Sequence, residues 1–156
     1  MDRTLIILKP DCIQRNLIGR IISRFEDKGL KIIGLKMMAI THELAHQHYA
    51  VHKGKPFYDG LIRFMTSGPV VVIALEGNNA ITVSRDMMGA TFGFKAQPGT
   101  IRGDFGVSSS FNLIHGSDSP EAAKAELDRF FSPKELLEYM PAGAGWVYDY
   151  SSGKPQ

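Results

Sequence analysis

One cysteine, Cys12, stands alone in 156 residues, so no disulfide can close within the chain, and a small stapled secreted fold is excluded. A lone thiol favours a reducing compartment. Long apolar runs are also lacking. The amino-terminal apolar stretch is too short for a signal-peptide core, and residues 70–75, the most strand-like run, are far too short to span a bilayer. A cytosolic protein without a membrane partner is expected. Charge of one sign is scarce too: 18 Lys and Arg against 16 Asp and Glu leave a formal charge of +2, too little by itself to argue for nucleic acid or a membrane surface. There is no internal repeat, no low-complexity segment and no composition break, so one domain, residues 1–156, is expected, with 151–156 a frayed tail. Finally, no G-x-x-x-x-G-K-[ST] loop is present to cradle phosphate with backbone amides. Any phosphate must be held by side chains.

What is present alternates between strand and helix character. Residues 4–8 form a continuous apolar run, which predicts a central strand buried on both faces and ending at Lys9-Pro10-Asp11. Ile18, Ile21, Ile22 and Phe25 then fall on one helical face, with Gly29 as a stop. Residues 31–40 return to strand alternation. Thr41 can cap a short helix through His48, and Pro56 marks the start of a second, with Phe57, Leu61, Phe64 and Met65 on a shared face. Residues 70–75 predict a strand and 80–88 a helix, whereas 89–110 show no sustained period, a length of loop usually tied to function. A last strand is expected over 111–114, and a last amphipathic helix carries Ala123, Leu127, Phe130 and Phe131. Trp146, Tyr148 and Tyr150 predict a tail that packs on this subunit or a neighbour. The order strand, helix, strand, strand, helix, strand predicts an α/β chain of the α+β kind. It is a ferredoxin-like βαββαβ arrangement: a four-stranded antiparallel sheet, helices on one face, and an inserted helical hairpin.

The stretch that organises the rest is Phe111-Asn112-Leu113-Ile114-His115-Gly116-Ser117-Asp118. It delivers a histidine to a turn, after which Ser119 caps a helix and Pro120 opens it. Amide N–H groups at such a helix start attract anions. An imidazole there, nucleophilic near neutral pH because its ordinary pKa is about 6.5, points to phosphoryl chemistry. Candidate phosphate ligands are Lys9 at a strand end, Arg85 on the helix after residues 70–75, and Arg102 in Pro98-Gly99-Thr100-Ile101-Arg102-Gly103-Asp104. Arginine offers a planar fork to phosphate oxygens and lysine a mobile point charge.

Two other motifs fail on inspection. His42-Glu43-Leu44-Ala45-His46 matches H-E-x-x-H, and His52 falls where an extended zinc motif has its third histidine, but Tyr49 stands where that motif turns on glycine. Asp104-Phe105-Gly106 spells D-F-G without the catalytic or glycine-rich loops of a protein kinase.

Taken together, Lys9-Pro10-Asp11, the segment 98–104 and Asn112-x-x-His115-Gly116-Ser117-Asp118 resemble the signature segments of nucleoside diphosphate kinases, in the same order and with similarity from Arg3 to about Tyr148. The resemblance implies a ping-pong enzyme in which His115 takes the γ-phosphoryl group of a nucleoside triphosphate and passes it to a nucleoside diphosphate. It implies that Lys9, Tyr49, Arg85, Thr91 and Arg102 hold phosphates, that Lys9 and Asn112 bond the ribose, and that Phe57 and Leu61 form an apolar platform for the base. Glu126 and Ser117 match the pair that orients the histidine. Stacking on Phe57 would accept any base, hence broad specificity. Mg²⁺ is implied on the substrate phosphates, without a direct protein ligand, and a homo-oligomer, hexamer or tetramer, built from a common dimer. Cys12, Ser109, Phe111 and the loop Phe92-Gly93-Phe94-Lys95 depart from the family's usual residues, which bears on base affinity and subunit contacts. The alternative on the same fold is a non-catalytic nucleotide-binding or regulatory domain. RNA binding on the sheet would need exposed aromatics on its central strands, which are aliphatic here.

Overall fold

The structure, a computed structural model, describes residues 1–156. Four strands, β1 (Asp2–Leu8), β2 (Lys31–Ala39), β3 (Pro69–Gly77) and β4 (Ile114–Gly116), form one sheet in the order β2-β3-β1-β4. All three pairings are antiparallel. Every residue of β1 from Thr4 to Leu8 is buried, as the unbroken apolar run requires. Between the strands lie α1 (Pro10–Gln14), α2 (Ile18–Asp27), α3 (His42–His48), α4 (Tyr58–Met65), α5 (Ala80–Met88), α6 (Ile101–Phe105) and α7 (Pro120–Phe130).

Alternation along β1 and β3 splits the core in two. Ile6, Leu8, Val71, Ile73 and Leu75 face Ile21 and Phe25 of α2 and Ala80 and Met88 of α5. These two crossover helices share one face, the ferredoxin-like arrangement. Leu5, Ile7, Val70, Val72 and Ala74 point the other way, against the α3–α4 hairpin and Leu127 and Phe130 of α7. Helices therefore cover both faces, one more layer than the βαββαβ pattern implies. The reason is in the strands themselves, which are apolar on both sides and must be covered on both.

Several boundaries move for local reasons. The chain enters α4 at Tyr58 rather than Pro56, because Tyr58 N donates to the Lys55 carbonyl and closes a tight turn first. The last strand covers 114–116 rather than 111–114, because Leu113 takes φ +72 and breaks the extended backbone. The aperiodic stretch 89–110 contains α6, capped by the Thr100 hydroxyl. In the tail, Tyr148 Oη accepts from Asn78 N (3.4 Å), while Trp146 is 96% exposed. The final residues, read as frayed, touch the body where Asn78 Nδ2 donates to the Pro155 carbonyl.

Candidate active site

The site forms at one end of the central strands. Lys9 N donates to the Leu113 carbonyl (2.8 Å), and Ile7 pairs with His115, so the end of β1 and the start of β4 lie side by side. Asp11 Oδ2 accepts from Leu113 N (3.1 Å) and helps hold the strained residue that turns the chain into β4. Lys9 Nζ, buried, donates to Asn112 Oδ1 (2.7 Å), whose amide nitrogen donates to the Thr91 carbonyl (2.9 Å). Arg102, also buried, grips the carbonyls of Asn112 (3.1 Å), Gly89 (3.1 Å) and Ile114 (2.6 Å). Arg85 donates to the carbonyl of Gly116 (3.1 Å). Cations thus meet the backbone at 112, 114 and 116, on either side of His115. A guanidinium has five N–H donors, so Arg102 keeps some for a ligand.

Sequence explains why α6 delivers Arg102 there. Thr100 caps the helix, and Gly103 lets the turn close against the Gln97 carbonyl, where a Cβ would collide with backbone. Arg24 then ties Asp104 to α2, and Gly99 N donates to the same carboxylate (2.8 Å). The D-F-G letters therefore serve a structural anchor.

His115 is half-buried. Its Nε2 lies 2.9 Å from Glu126 Oε2, and Ser117 Oγ donates to that same oxygen (2.6 Å) while accepting from Leu5 N (3.2 Å). A carboxylate accepts, so Nε2 carries the proton and the lone pair of the neutral ring sits on Nδ1. Burial pushes the Glu126 carboxyl up, but its bonds from His115 and Ser117 outweigh this and hold it below the usual carboxylate range. Burial first, and then Arg102, pull Lys9 down to about 8. Burial and Arg85 pull Arg102 down to about 10. Asp11 pulls Lys9 the other way, but less than burial and Arg102 do, and the crowded cations make a site that favours an anion.

The remaining sequence-predicted residues sit at one remove. Tyr49, buried at the end of α3 with its hydroxyl unpartnered, has its phenol pushed above the ordinary value by burial and then by Glu126. Thr91 enters the bond network through its carbonyl, its side chain being exposed. Phe57, 53% exposed, heads α4 with half-buried Leu61 one turn on, and is linked back to Tyr49 through His52, whose ring lies 5.3 Å from Phe57 and 6.4 Å from Tyr49. Phe57 and Leu61, one turn apart, therefore share a flank of α4. Of the departures from the family, Phe111 packs on Phe64 (4.9 Å) and Phe92 stacks on Phe94 (5.9 Å).

The sequence reading missed His48. Its ring lies 4.9 Å from that of His115 at 81°, and its Nδ1 lies 3.1 Å from Arg129 Nη1. No spacing links residue 48 to residue 115, and the pattern His48 sits beside is that of an incomplete zinc motif. That motif does not assemble, since none of His42, His46 and His52 belongs to a group of three donors close enough to share an ion, and His46 Nδ1 is instead bonded to the Tyr58 hydroxyl (2.6 Å). The three-donor cluster that forms is His48, His115 and Glu126. No helix is long and apolar enough to cross a membrane.

Comparison with known proteins agrees with this geometry. A family model described as nucleoside diphosphate kinase matches residues 2–136. A nucleoside diphosphate kinase of Carboxydothermus hydrogenoformans is 55% identical over 149 residues, covering 96% of this chain and all of that protein. One from Halalkalibacterium halodurans is 56% identical over 147 residues, covering 94% of this chain and all of its own. Among solved structures, a Halobacterium salinarum nucleoside diphosphate kinase in complex with CDP superposes with a TM-score of 0.93 at 49% identity, covering 95% of this chain and 99% of that one. A family protein from Babesia bovis gives a TM-score of 0.92 at 44% identity, covering 95% of this chain and all of the other.

Proposed function

The chain belongs to the nucleoside diphosphate kinase family, and on that premise we propose that its phosphoryl transfer runs through Nδ1 of His115. The protein is an enzyme that binds nucleotides and transfers phosphate between them. In the first half-reaction the Nδ1 lone pair attacks the γ-phosphorus of a nucleoside triphosphate. The bond from that phosphorus to the β,γ-bridging oxygen breaks, the diphosphate leaves with the electron pair, and an N–P bond forms while Nε2 keeps its proton on Glu126. In the second, a terminal oxygen of another diphosphate attacks the phosphorus and the N–P bond breaks. The observation that carries this reading is the 2.9 Å contact of Nε2 with Glu126, because it leaves the other nitrogen bare beside fixed cations.

Lys9, Arg85 and Arg102 act on the oxygens of the transferred group, where charge develops, so their contribution is electrostatic. Asn112 bridges Lys9 and Thr91 and is suited to a ribose hydroxyl. Phe57 and Leu61 offer the base a face without hydrogen-bond readout, and broad base acceptance follows. A divalent ion, Mg²⁺, fits as cargo on the nucleotide phosphates: in the His48, His115 and Glu126 cluster, Glu126 Oε2 accepts from His115 and Ser117, His48 Nδ1 accepts from Arg129, and among the ring nitrogens only His115 Nδ1 keeps a free lone pair, too few for an ion held by the protein. Carried in on the substrate, it would supply positive charge that offsets the charge developing on the leaving diphosphate. The chain acts as one domain and as a homo-oligomer. Exposed Leu35 and Met37 on edge strand β2, with Phe92, Phe94 and Trp146, supply the apolar surface, and sedimentation should give a multiple of 17.2 kDa.

The test of the central step is labelling with γ-³²P-ATP. Wild type should take up acid-labile label and discharge it to GDP or dCDP, and His115→Ala should take up none. A His115→Ala protein that labels and turns over removes the proposal.

A further inference from the structure

His48 has no place in the reaction as derived above, yet it is the aromatic neighbour of His115, and it is buried. Two features fix its state. Arginine can only donate, so the 3.1 Å contact from Arg129 makes Nδ1 the acceptor and puts the ring proton on Nε2. Nε2 is buried without a hydrogen-bond partner, a condition that calls for explanation. Tyr49 (4.5 Å, 71°) and Phe130 (5.1 Å, 84°) also meet the ring edge to face, so its plane has little freedom.

We propose that His48, with its plane and tautomer set by Arg129, is a positioning residue that holds the His115 imidazole at the orientation in which Nε2 meets Glu126 and Nδ1 is presented to the phosphoryl group. This rests on the reading of His115 given above. Both restraints come from one helix: Glu126 and Arg129, three residues apart on α7, face the same way, the first gripping the reacting histidine and the second gripping the ring packed against it. A histidine suits this place only while neutral, since a second cation would compete with His115 for Glu126. The charged and titratable groups around it are His115, Arg129, Glu126, Lys9 and Tyr49. Burial, followed by His115, pulls the His48 pKa down to about 3, so the ring stays neutral throughout the working range.

The prediction separates positioning from simple packing. His48→Phe keeps a ring of similar size but cannot accept from Arg129, and Arg129→Met removes the donor while leaving His48 in place. In the full-length enzyme with ATP and GDP, His48→Phe should lower kcat about tenfold or more with KM for ATP changed less than about threefold. Arg129→Met should lower kcat in the same way but by less. The double variant should be no slower than His48→Phe, because Arg129 acts through His48. Equal or multiplicative behaviour overturns the proposal: wild-type kcat in both single variants, or a double variant whose loss is the product of the two. Labelling of His115 in each variant keeps the two readings apart. A slow His48→Phe enzyme that still labels at His115 leaves the phosphohistidine intact, while label surviving in His115→Ala removes the premise.

Discussion

Glu126 and Lys9 carry the predictions that belong to single residues. Glu126→Gln keeps the shape of the side chain and removes its charge, so the bond to Nε2 weakens and the developing positive charge on the ring loses its partner. The expected result is a fall in kcat of about 10²-fold with little change in KM, measured by steady-state kinetics with ATP and GDP. Lys9 makes the site sensitive to alkali. With its pKa held near 8 by burial and by Arg102, the free enzyme loses a phosphate-binding charge as pH rises through that value. KM for ATP should rise above about pH 8, while kcat changes less because bound phosphates restore the proton, and Lys9→Met should show a high KM with no such rise. Stability moves the opposite way. The folded pKa lies below the unfolded value of 10.5, so between the two the unfolded chain holds more protons, and the cost of burying the Lys9 charge is relieved as pH increases. Residue chemistry was legible in part: His115 and the cations announce themselves by type and position. His48 did not, because nothing in a linear pattern says that the end of one helix will meet a strand across the sheet.

At the level of elements, the site depends on short segments that are anchored by buried Ile101, Leu113 and Ile114 but take their shape from backbone contacts. Gly103→Ala should displace α6, since a Cβ there runs into the Gln97 carbonyl, and with it the three carbonyl contacts of Arg102. The expected outcome is a rise in KM for ATP and a fall in kcat together, with a loss of stability of about 1–3 kcal/mol, read by kinetics and by urea melting. The long helices and the central strands could be read from sequence because their apolar periods are sustained and their caps are explicit, as at Thr41 and Ser119. The short last strand could not. Its start is set by Leu113 at φ +72, a conformation held from outside the segment, since Asp11 accepts from the Leu113 N–H and Lys9 N donates to the Leu113 carbonyl. For the same reason α6 lay hidden in a stretch with no period.

On the scale of the molecule, a sheet apolar on both sides is closed by crossover helices on one face and by the hairpin with α7 on the other. That second layer is what brings His48, Tyr49, Phe57 and Glu126 to the same end of the sheet as Lys9 and His115. Fold class and strand order were readable from the alternation of elements, while the second helical layer was implied only by strands too apolar to be left half open. One measurement bears most directly on the whole account: stoichiometric labelling of the enzyme by γ-³²P-ATP without acceptor, followed by addition of GDP. One acid-labile phosphate per chain, lost to GTP on addition of GDP and absent in His115→Ala, is the predicted result; label that is acid-stable, or that persists in His115→Ala, would contradict it.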